Sequence, residues 1–420
     1  MMAIKSSLPT QRKTPGALGK RRERLPGDAF LFCPERSSVD QPDVGNGIKA
    51  SHKMYTTQGG SEGMKGTRSS IQIERYENID LLAREWDELA DRVQAAPWLR
   101  PGWIAAWRRA FGKGTLEILA VRRDQQLAGV LPLQSRFGEL SSTTNWHTPQ
   151  FGLLAEDSAA AQELAHAVFA CRSRRVNLGF LALEGAGLHE CRTAATAAGY
   201  RQFVRTIQRS PYVPIESDWA EYKRRLSAKR LSEIRRRRRL LEAEGKLLLQ
   251  IVDGSERLEE FLEEGFWLEA AAWKGAAGSA IISRPQTHQF YSEVARWGAE
   301  RGVLRLAFLR LNSCPLAFDY CLEEGGVHYL VKTGYNPAYG KFGPGLIIRY
   351  EMLARAFSIG LRTYEFLGTD QPWKFEWADK VRELALLRTF SPSPSGFLEW
   401  AAFAYGRPLA KSILTAVNRL

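Results

Sequence analysis

The stretch that decides the fold of this chain reads Gly340-Lys341-Phe342-Gly343-Pro344-Gly345. It lies between the last of three predicted strands and a predicted helix, which covers 345–359 and ends at Gly360. The first turn of a helix offers unpaired backbone N–H groups and about half a positive charge. Glycines let the backbone approach a ligand closely, and Lys341 adds a cation. We therefore predict an anion-binding loop that suits a pyrophosphate.

The surrounding residues exclude two other kinds of phosphate loop. No Gly-Lys-Ser or Gly-Lys-Thr follows, so the stretch is not a P-loop. The spacing of its glycines differs from that of a dinucleotide fingerprint, and the preceding strand ends an antiparallel meander. The meander is predicted at 304–311, 315–322 and 327–334, and a further strand at 362–367 follows the helix.

Working outward, the chain divides into four predicted parts. Residues 1–70 have no apolar periodicity and are predicted to be a disordered basic tail. Residues 71–212 form a first α/β lobe, and Pro211 and Pro214 mark its end. Residues 213–395 form a second lobe that begins with a long basic helix at 219–245, and 396–420 form a helical extension. Five consecutive arginines at 235–239 make that helix the densest charge run in the chain.

Composition narrows the class of protein. The chain has 420 residues, of which 25% are charged, and a formal net charge of +13, which favours anionic partners. It has no apolar stretch near the roughly 20 residues that span a bilayer. Its five cysteines form no CxxC pair, which favours reduced thiols in the cytoplasm. Its six histidines show no metal-ligand spacing, so we expect no metal.

The order of strand, strand, strand, glycine loop, helix and strand resembles the central part of the GNAT (N-acetyltransferase) superfamily. In that family the loop reads Arg/Gln-x-x-Gly-x-Gly/Ala and binds the pyrophosphate of coenzyme A. Gly343 and Gly345 match its two small positions, whereas Gly340 stands where Arg or Gln is usual. The resemblance implies acetyl-CoA or another acyl-CoA as co-substrate.

A closer resemblance is to the CelD-like (cellulose-biosynthesis-associated) branch, which is related in fold to the FemAB peptidoglycan aminoacyltransferases. It covers about 71–395 and includes these stretches: Trp273-Lys274-Gly275, Tyr335-Asn336-Pro337-Ala338-Tyr339, Glu365-Phe366-Leu367-Gly368-Thr369-Asp370 and Trp373-Lys374. It implies an α/β (α+β) fold of two tandem GNAT-like lobes with mixed central sheets. The acyl-donor site would lie in the second lobe.

Acyl transfer to an amine needs a base, because a free alkyl amine is protonated at neutral pH. We predict Asp370 first and Glu365 second as this base, with Tyr335 as the acid that protonates the leaving thiolate. The alternatives are a turn-forming Asp370, a solvated Glu365 and a packing role for Tyr335. The predicted donor-binding residues are Lys341, Phe342, Gly343, Gly345 and Leu346.

Three residues are predicted to bind the acceptor: Trp273, Lys274 and Lys374. An ammonium among aromatic rings, as at Lys374, suits an anionic group of the acceptor. The alternatives are a core position for Trp273 and a surface lysine at 374 whose stem lies along apolar residues.

The function implied by the resemblance is acyl-CoA-dependent transfer to an amine or hydroxyl of a small molecule or glycan precursor, in exopolysaccharide or cellulose biosynthesis. One rival is a tRNA-dependent aminoacyltransferase of FemAB type, and another is a non-catalytic accessory protein. The arginine run favours a solvated helix over contact with a membrane surface or RNA, and no nucleic-acid partner is expected. Peripheral membrane contact is also an alternative for the apolar stretch 397–420, and the oligomeric state is not predicted.

Overall fold

The computed structural model describes residues 53–54, 71–185, 187–271 and 273–406. The predicted disordered tail falls outside the described residues except for Lys53–Met54, which forms a short strand, β1, paired with the strand that begins at Ile71. The predicted helical extension is described only as far as Gly406. It begins with a helix at Pro394–Ala401 and continues as a π-helical turn at Ala402–Gly406.

The first part of the chain alternates helices with strands. After β1, its elements are β2 (Ile71–Tyr76), α1 (Ala83–Arg92), α2 (Pro101–Phe111), β3 (Thr115–Arg123), β4 (Gln126–Arg136), β5 (Glu139–Ser142), β6 (Leu154–Ala155), α3 (Ser158–Ala170), β7 (Arg175–Ala182), α4 (Leu188–Ala197) and β8 (Arg201–Pro214).

The second part repeats this alternation with more helix before its meander. Its elements are α5 (Trp219–Arg225), α6 (Ala228–Glu242), β9 (Leu247–Val252), α7 (Leu258–Ala270), α8 (Trp273–Ala276), α9 (Pro285–Glu300), β10 (Leu304–Leu311), β11 (Cys314–Glu324), β12 (Val327–Tyr335), α10 (Pro344–Ser358), β13 (Thr363–Glu365), β14 (Lys380–Phe390) and α11 (Pro394–Ala401).

The strands of the described residues form one mixed 14-stranded sheet in the order β1-β2-β3-β4-β5-β7-β14-β8-β13-β12-β11-β10-β9, with β6 beside β4. The same unit occurs twice in it. Three antiparallel strands are followed by a helix and by a strand that runs parallel to the third, as β3-β4-β5-α3-β7 and as β10-β11-β12-α10-β13. The predicted α/β fold with two tandem GNAT-like lobes is confirmed.

The strand β14 joins the two lobes, and the sequence analysis did not predict it. It lies between β7 and β8 and is antiparallel to both. A strand from the end of the chain therefore completes the sheet of the first lobe. Strand β8 runs through the predicted boundary at 212/213 and also pairs with β13. The division into lobes at that boundary stays a proposal.

The predicted long helix at 219–245 is wrong in one respect, because it is two helices. Leu226 is extended, with φ −74° and ψ 141°. Ser227 then begins α6, and its side chain accepts a hydrogen bond from the Arg230 N–H at 3.2 Å. A serine cap competes with continuation of the preceding helix. The new helix can therefore turn Ile234 and Leu241 into the core of the second lobe.

The two lobes also share a core of aromatic side chains. Trp103 of α2 meets Phe290 of α9 with ring centroids 5.2 Å apart. Gly102 lies so close to Trp297 that a Cβ at that position would be 2.1 Å from the indole ring. Close packing of this kind fixes the lobes relative to each other. None of the helices in the described part of the chain is both long enough and apolar enough to cross a membrane.

Candidate functional site

A cleft opens in the sheet where β12 and β13 separate. The two strands pair in parallel over only three residue pairs, which end at Tyr329↔Glu365. Opposite β11, the register shifts between Tyr320 and Cys321 and leaves Val331 as an extra residue in β12, and such a bulge bends a strand. Beyond this point, 330–335 and 366–369 line a cleft of about 680 Å³. The backbone of β12 is thus exposed to a ligand within the sheet.

The N-terminus of α10 faces this cleft. Gly343 adopts a left-handed conformation with φ 61°, which turns the chain into the helix. The N–H groups of Leu346 and Ile347 donate to its carbonyl at 3.0 and 3.3 Å. Within the described residues the N–H of Gly345 has no acceptor, and Gly345 lines the cleft. The helix therefore presents an open donor at its positive end.

The arginine run supports this loop from behind. Arg237 is paired with Glu233 at 2.6 Å, and a Cβ added at Gly343 would lie 2.3 Å from its Nη1. Arg235, Arg236 and Arg239 are exposed. The fifth arginine, Arg238, pairs with Glu242 and with Glu351 of α10. The run therefore contains one residue that holds the loop, one that ties α6 to α10 and three that face solvent.

A buried arginine forms one wall of the cleft. Arg349 of α10 donates to Asp319 Oδ1 at 2.8 Å and to the hydroxyl of Tyr364. Its guanidinium also lies 5.9 Å from the ring centroids of Phe366 and Trp373. The neighbouring Asp319 raises the pKa of Arg349 against the opposing effect of burial, so this charge is retained within the fold.

The predicted acceptor-binding residue Lys374 lies in the cleft lining but is only 6% exposed. Its Nζ donates to the carbonyls of Leu367 and Thr369, the latter at 2.8 Å. Burial, with Arg349 nearby, lowers the pKa of Lys374 to about 8. The side chain therefore fixes the turn that follows β13. The alternative interpretation of Lys374 as a surface lysine is wrong.

The lowered pKa makes stability depend on pH in a defined direction. The folded protein binds fewer protons than the unfolded chain between about pH 8 and the ordinary lysine pKa of 10.5, so stability rises with pH in that window. Relative to Lys374→Met, we expect the wild-type free energy of unfolding to rise by roughly 3 kcal/mol. Urea unfolding of both proteins across this range measures the difference. Parallel pH profiles would contradict the assignment.

Lys274 also lines the cleft and connects three elements. Its Nζ donates to Glu269 Oε1 at 3.0 Å and to the carbonyl of Thr333 at 2.6 Å. The other oxygen of Glu269 accepts from the Ile281 N–H at 2.9 Å. The carbonyl of Thr333 thus points away from β11, and its N–H points the same way, since both groups of a strand residue share a direction. Thr333 therefore offers a backbone donor to the cleft.

The predicted donor-binding residues are partly brought together. Gly345 and Leu346 line the cleft, and Gly343 is the N-cap residue of the helix to which both belong. Phe342 is buried in the core of the second lobe. Lys341 is exposed, with its Nζ 5.0 Å from the Phe342 ring centroid, and lies outside the lining.

The predicted catalytic residues occupy three different settings. Tyr335 lines the cleft and is 38% exposed. Glu365 is buried, and its carboxylate accepts from Arg382 Nε at 2.7 Å; burial raises its pKa. The alternative interpretation of Glu365 as a solvated residue is therefore wrong. Asp370 is outside the lining and pairs with Arg209 at 3.1 Å. The side chain of Trp273 lies outside the described part of the structure.

Sequence reasoning missed Arg349, Glu269 and Lys332, all of which line the cleft. Arg349 and Lys332 each lie within a largely apolar stretch, where a buried charge needs a partner, whereas Glu269 lies in a helix that carries four other glutamates. That signal is visible at Arg349, inside the otherwise apolar start of α10. Its partner Asp319 is 30 positions away, so the pair could not be matched from spacing.

The equivalent region of the first lobe is closed. The helix α3 is capped by Asp157, which accepts from the Ala160 N–H at 2.8 Å and so places a carboxylate where α10 has an open donor. Beyond the paired part of β5 and β7, the hydroxyl of Ser142 accepts from the Gly179 N–H at 3.0 Å. An anion would meet repulsion at the first helix and attraction at the second.

The part of the chain that contains this cleft is similar to a known family of domains. Residues 228–375, which include the split between the strands and the uncapped N-terminus of α10, match the family model described as acetyltransferase (GNAT) domain. No curated protein matches the chain.

Solved structures are similar to this chain at low sequence identity. The crystal structure of FemX has a TM-score of 0.50 at 13% identity, covering 75% of this chain and 96% of FemX. The C-terminal domain of a putative lysylphosphatidylglycerol synthetase from Agrobacterium fabrum has 0.49 at 10%, covering 78% and 96%. A tandem GNAT protein from the clavulanic acid biosynthesis pathway has 0.42 at 12%, covering 77% and 100%.

Proposed function

We propose that this protein transfers an acyl group from acyl-CoA to an amine or hydroxyl acceptor. The observation that carries the proposal is the cleft between β12 and β13 with the open N–H of Gly345 at its wall. An acyl-CoA has a pyrophosphate that suits a helix N-terminus and an extended chain of amides that suits an unpaired strand edge. The closed equivalent in the first lobe supports a single donor site.

In the proposed complex the pyrophosphate lies at Gly345 and Leu346, and the thioester lies beside Thr333. The acceptor nitrogen attacks the thioester carbonyl, so that a C–N bond forms and the C–S bond breaks. The Thr333 N–H stabilises the developing oxyanion. The hydroxyl of Tyr335 gives a proton to the departing thiolate, and the nitrogen loses its proton to Asp370.

We keep Asp370 as the proposed proton acceptor because it follows the split strand and its charge raises the pKa of Lys374 against the effect of burial. Asp370→Asn should lower turnover by roughly 100-fold or more, within the range of general-base catalysis, and leave CoA binding unchanged. The assay is release of free thiol from acetyl-CoA. Arg209→Met is the matched control, because it removes the partner of Asp370 and keeps the carboxylate. Equal turnover of Asp370→Asn and wild type would reject this role.

Calorimetric titration of acetyl-CoA and CoA into the full chain at two salt concentrations tests the donor. We expect saturable one-to-one binding that weakens moderately with salt, since the positive end of α10 carries only about half a charge. The absence of binding at millimolar ligand would overturn the proposal.

A second function is favoured by the FemX-like fold and by the exposed arginines of α6, which together suit an aminoacyltransferase that uses aminoacyl-tRNA. It predicts tight, strongly salt-dependent binding of tRNA and no binding of CoA. A protein that binds neither ligand would fit the non-catalytic accessory role. A cytoplasmic location and the link to cellulose or exopolysaccharide remain proposals that rest on composition and on the CelD-like resemblance.

A further inference from the structure

The charged residues of the cleft are unequally partnered. Of six cations in the lining, four are paired with a carboxylate, and two, Lys332 and Lys374, are not. The four pairs are Arg230–Glu376 at 2.5 Å, Arg237–Glu233 at 2.6 Å, Lys274–Glu269 at 3.0 Å and Arg349–Asp319 at 2.8 Å. Lys374 is held by two backbone carbonyls. Among the described residues, the ammonium of Lys332 therefore has neither a hydrogen-bond acceptor nor an ion pair.

The one carboxylate near Lys332 among the described residues, Glu269, is engaged by other groups. Its Nζ lies 5.1 Å from the ring centroid of Tyr291 on α9. The nearby carboxylate of Glu269 is already bound by Lys274 and by the Ile281 N–H. Across from it, His147 of the first lobe contacts the Tyr291 hydroxyl at 3.2 Å, and burial keeps this imidazole neutral by lowering its pKa to about 4. A cation in this position gains strongly from an anion supplied by a ligand.

Lys332 lies on the face of the sheet opposite the donor loop. The next residue, Thr333, turns its hydroxyl towards Arg349 of α10, at 3.5 Å. Successive side chains of a strand point to opposite faces, and Lys332 accordingly faces α9 and the first lobe. The free ammonium and the helix N-terminus thus reach the cleft from two sides of the split sheet. A donor bound at α10 would leave Lys332 to the other substrate.

We propose that Lys332 is a specificity-determining residue that binds an anionic oxyacid group, carboxylate or phosphate, on the acceptor. This inference rests on the proposed acyl transfer and names the class of its acceptor: a compound that carries its nucleophilic amine or hydroxyl together with a negative charge. Because a lysine ammonium binds as a point charge, the geometry suits both anions.

Matched acceptors test the inference. The pairs β-alanine and β-alaninamide, phosphoethanolamine and ethanolamine, and glucosamine 6-phosphate and glucosamine each differ in one anionic group. Wild-type protein should show a kcat/KM higher by roughly tenfold or more for the anionic member of at least one pair, the size of one charge-assisted hydrogen bond. The pair that responds distinguishes carboxylate from phosphate. Lys332→Met should abolish the difference, and Lys332→Arg should retain most of it.

Arg235→Ala is the control for net charge, because it removes one positive charge from an exposed position outside the cleft. It should leave the preference for the anionic member intact. Equal use of charged and neutral acceptors by wild type, or a preference that persists in Lys332→Met, would overturn the proposal.

Two further measurements distinguish a failure of this proposal from a failure of the proposed acyl transfer. Acetyl-CoA titration reports on the donor site alone. The melting temperature with each member of a pair reports on acceptor binding without turnover, since a ligand of the folded state raises it. Stabilisation by anionic members that Lys332→Met removes, without acetyl-CoA binding, would support the anion site and overturn the donor. Acetyl-CoA binding without anion-specific stabilisation and without a preference for anionic acceptors would support the donor site and overturn the anion site.

Discussion

Gly345→Val should weaken acetyl-CoA binding by roughly 100-fold, or about 2.7 kcal/mol, and leave the fold intact. A Cβ at this position would meet only the Tyr335 Cδ1 atom, at 3.8 Å, which is ordinary contact. The two methyl groups of valine would instead occupy the cleft at the open N–H, where the pyrophosphate is proposed to bind. Calorimetry measures the affinity, and thermal unfolding should show a change under about 1 kcal/mol, as expected for valine in a helix.

Gly340→Val is the matched control for this substitution. A Cβ there would meet only Tyr335 Cε2 at 4.0 Å, and Gly340 is outside the cleft lining. We expect the control to bind acetyl-CoA like wild type. Gly345→Ala, with one methyl group, should give an intermediate affinity. Unchanged binding by Gly345→Val would remove the loop from the donor site, even if acetyl-CoA binds elsewhere.

Arg349→Met should cost about 3–5 kcal/mol of stability, the range found when one partner of a buried ion pair is removed. The substitution leaves Asp319 without its only ion-pair partner in the described structure, on a strand in the interior of the sheet. It also removes the hydrogen bond to the Tyr364 hydroxyl at the start of the split between β12 and β13. Urea unfolding measures the loss.

A double-mutant cycle and a surface control sharpen this prediction. Asp319→Asn combined with Arg349→Met should cost less than the sum of the single changes, because the uncompensated carboxylate is absent. Arg296→Met removes an exposed partner of Glu259, paired at 2.8 Å, and should cost no more than about 1 kcal/mol. A loss of similar size for Arg349→Met would contradict a structural role of the buried pair.

Local sequence signals anticipated the helix start and part of the site. Glycines placed before a periodic apolar helix predict a turn into the helix and an open approach to its first N–H groups. The structure has both, because Gly343 is left-handed and little but Tyr335 lies near Gly345. The three-stranded meander before the loop was also predicted, because strands and the turns between them produce short-range patterns. The same local patterns predicted one helix across 219–245. The prediction was wrong because Ser227 is the N-cap of a second helix.

The roles of the charged residues depended on long-range contacts. Asp370 follows the split strand as expected, yet its pairing with Arg209 spans 161 positions. Lys374 was expected to bind the acceptor, and the fold instead directs its ammonium to two carbonyls of its own turn. Lys332 drew no attention in the sequence, because its lack of a partner is a property of everything that packs around it.

The sequence by itself determined the α/β alternation of helices and strands and the glycine loop that begins α10, whereas the tandem arrangement of two lobes was implied by the family resemblance. The alternation and the loop depend on propensities and periodicities among residues a few positions apart. Only the tertiary structure decided that β14 inserts between β7 and β8, that β12 bends at Val331, and which cations of the cleft lack partners. Such features arise from pairing and burial between distant segments, whose free energy no local pattern records.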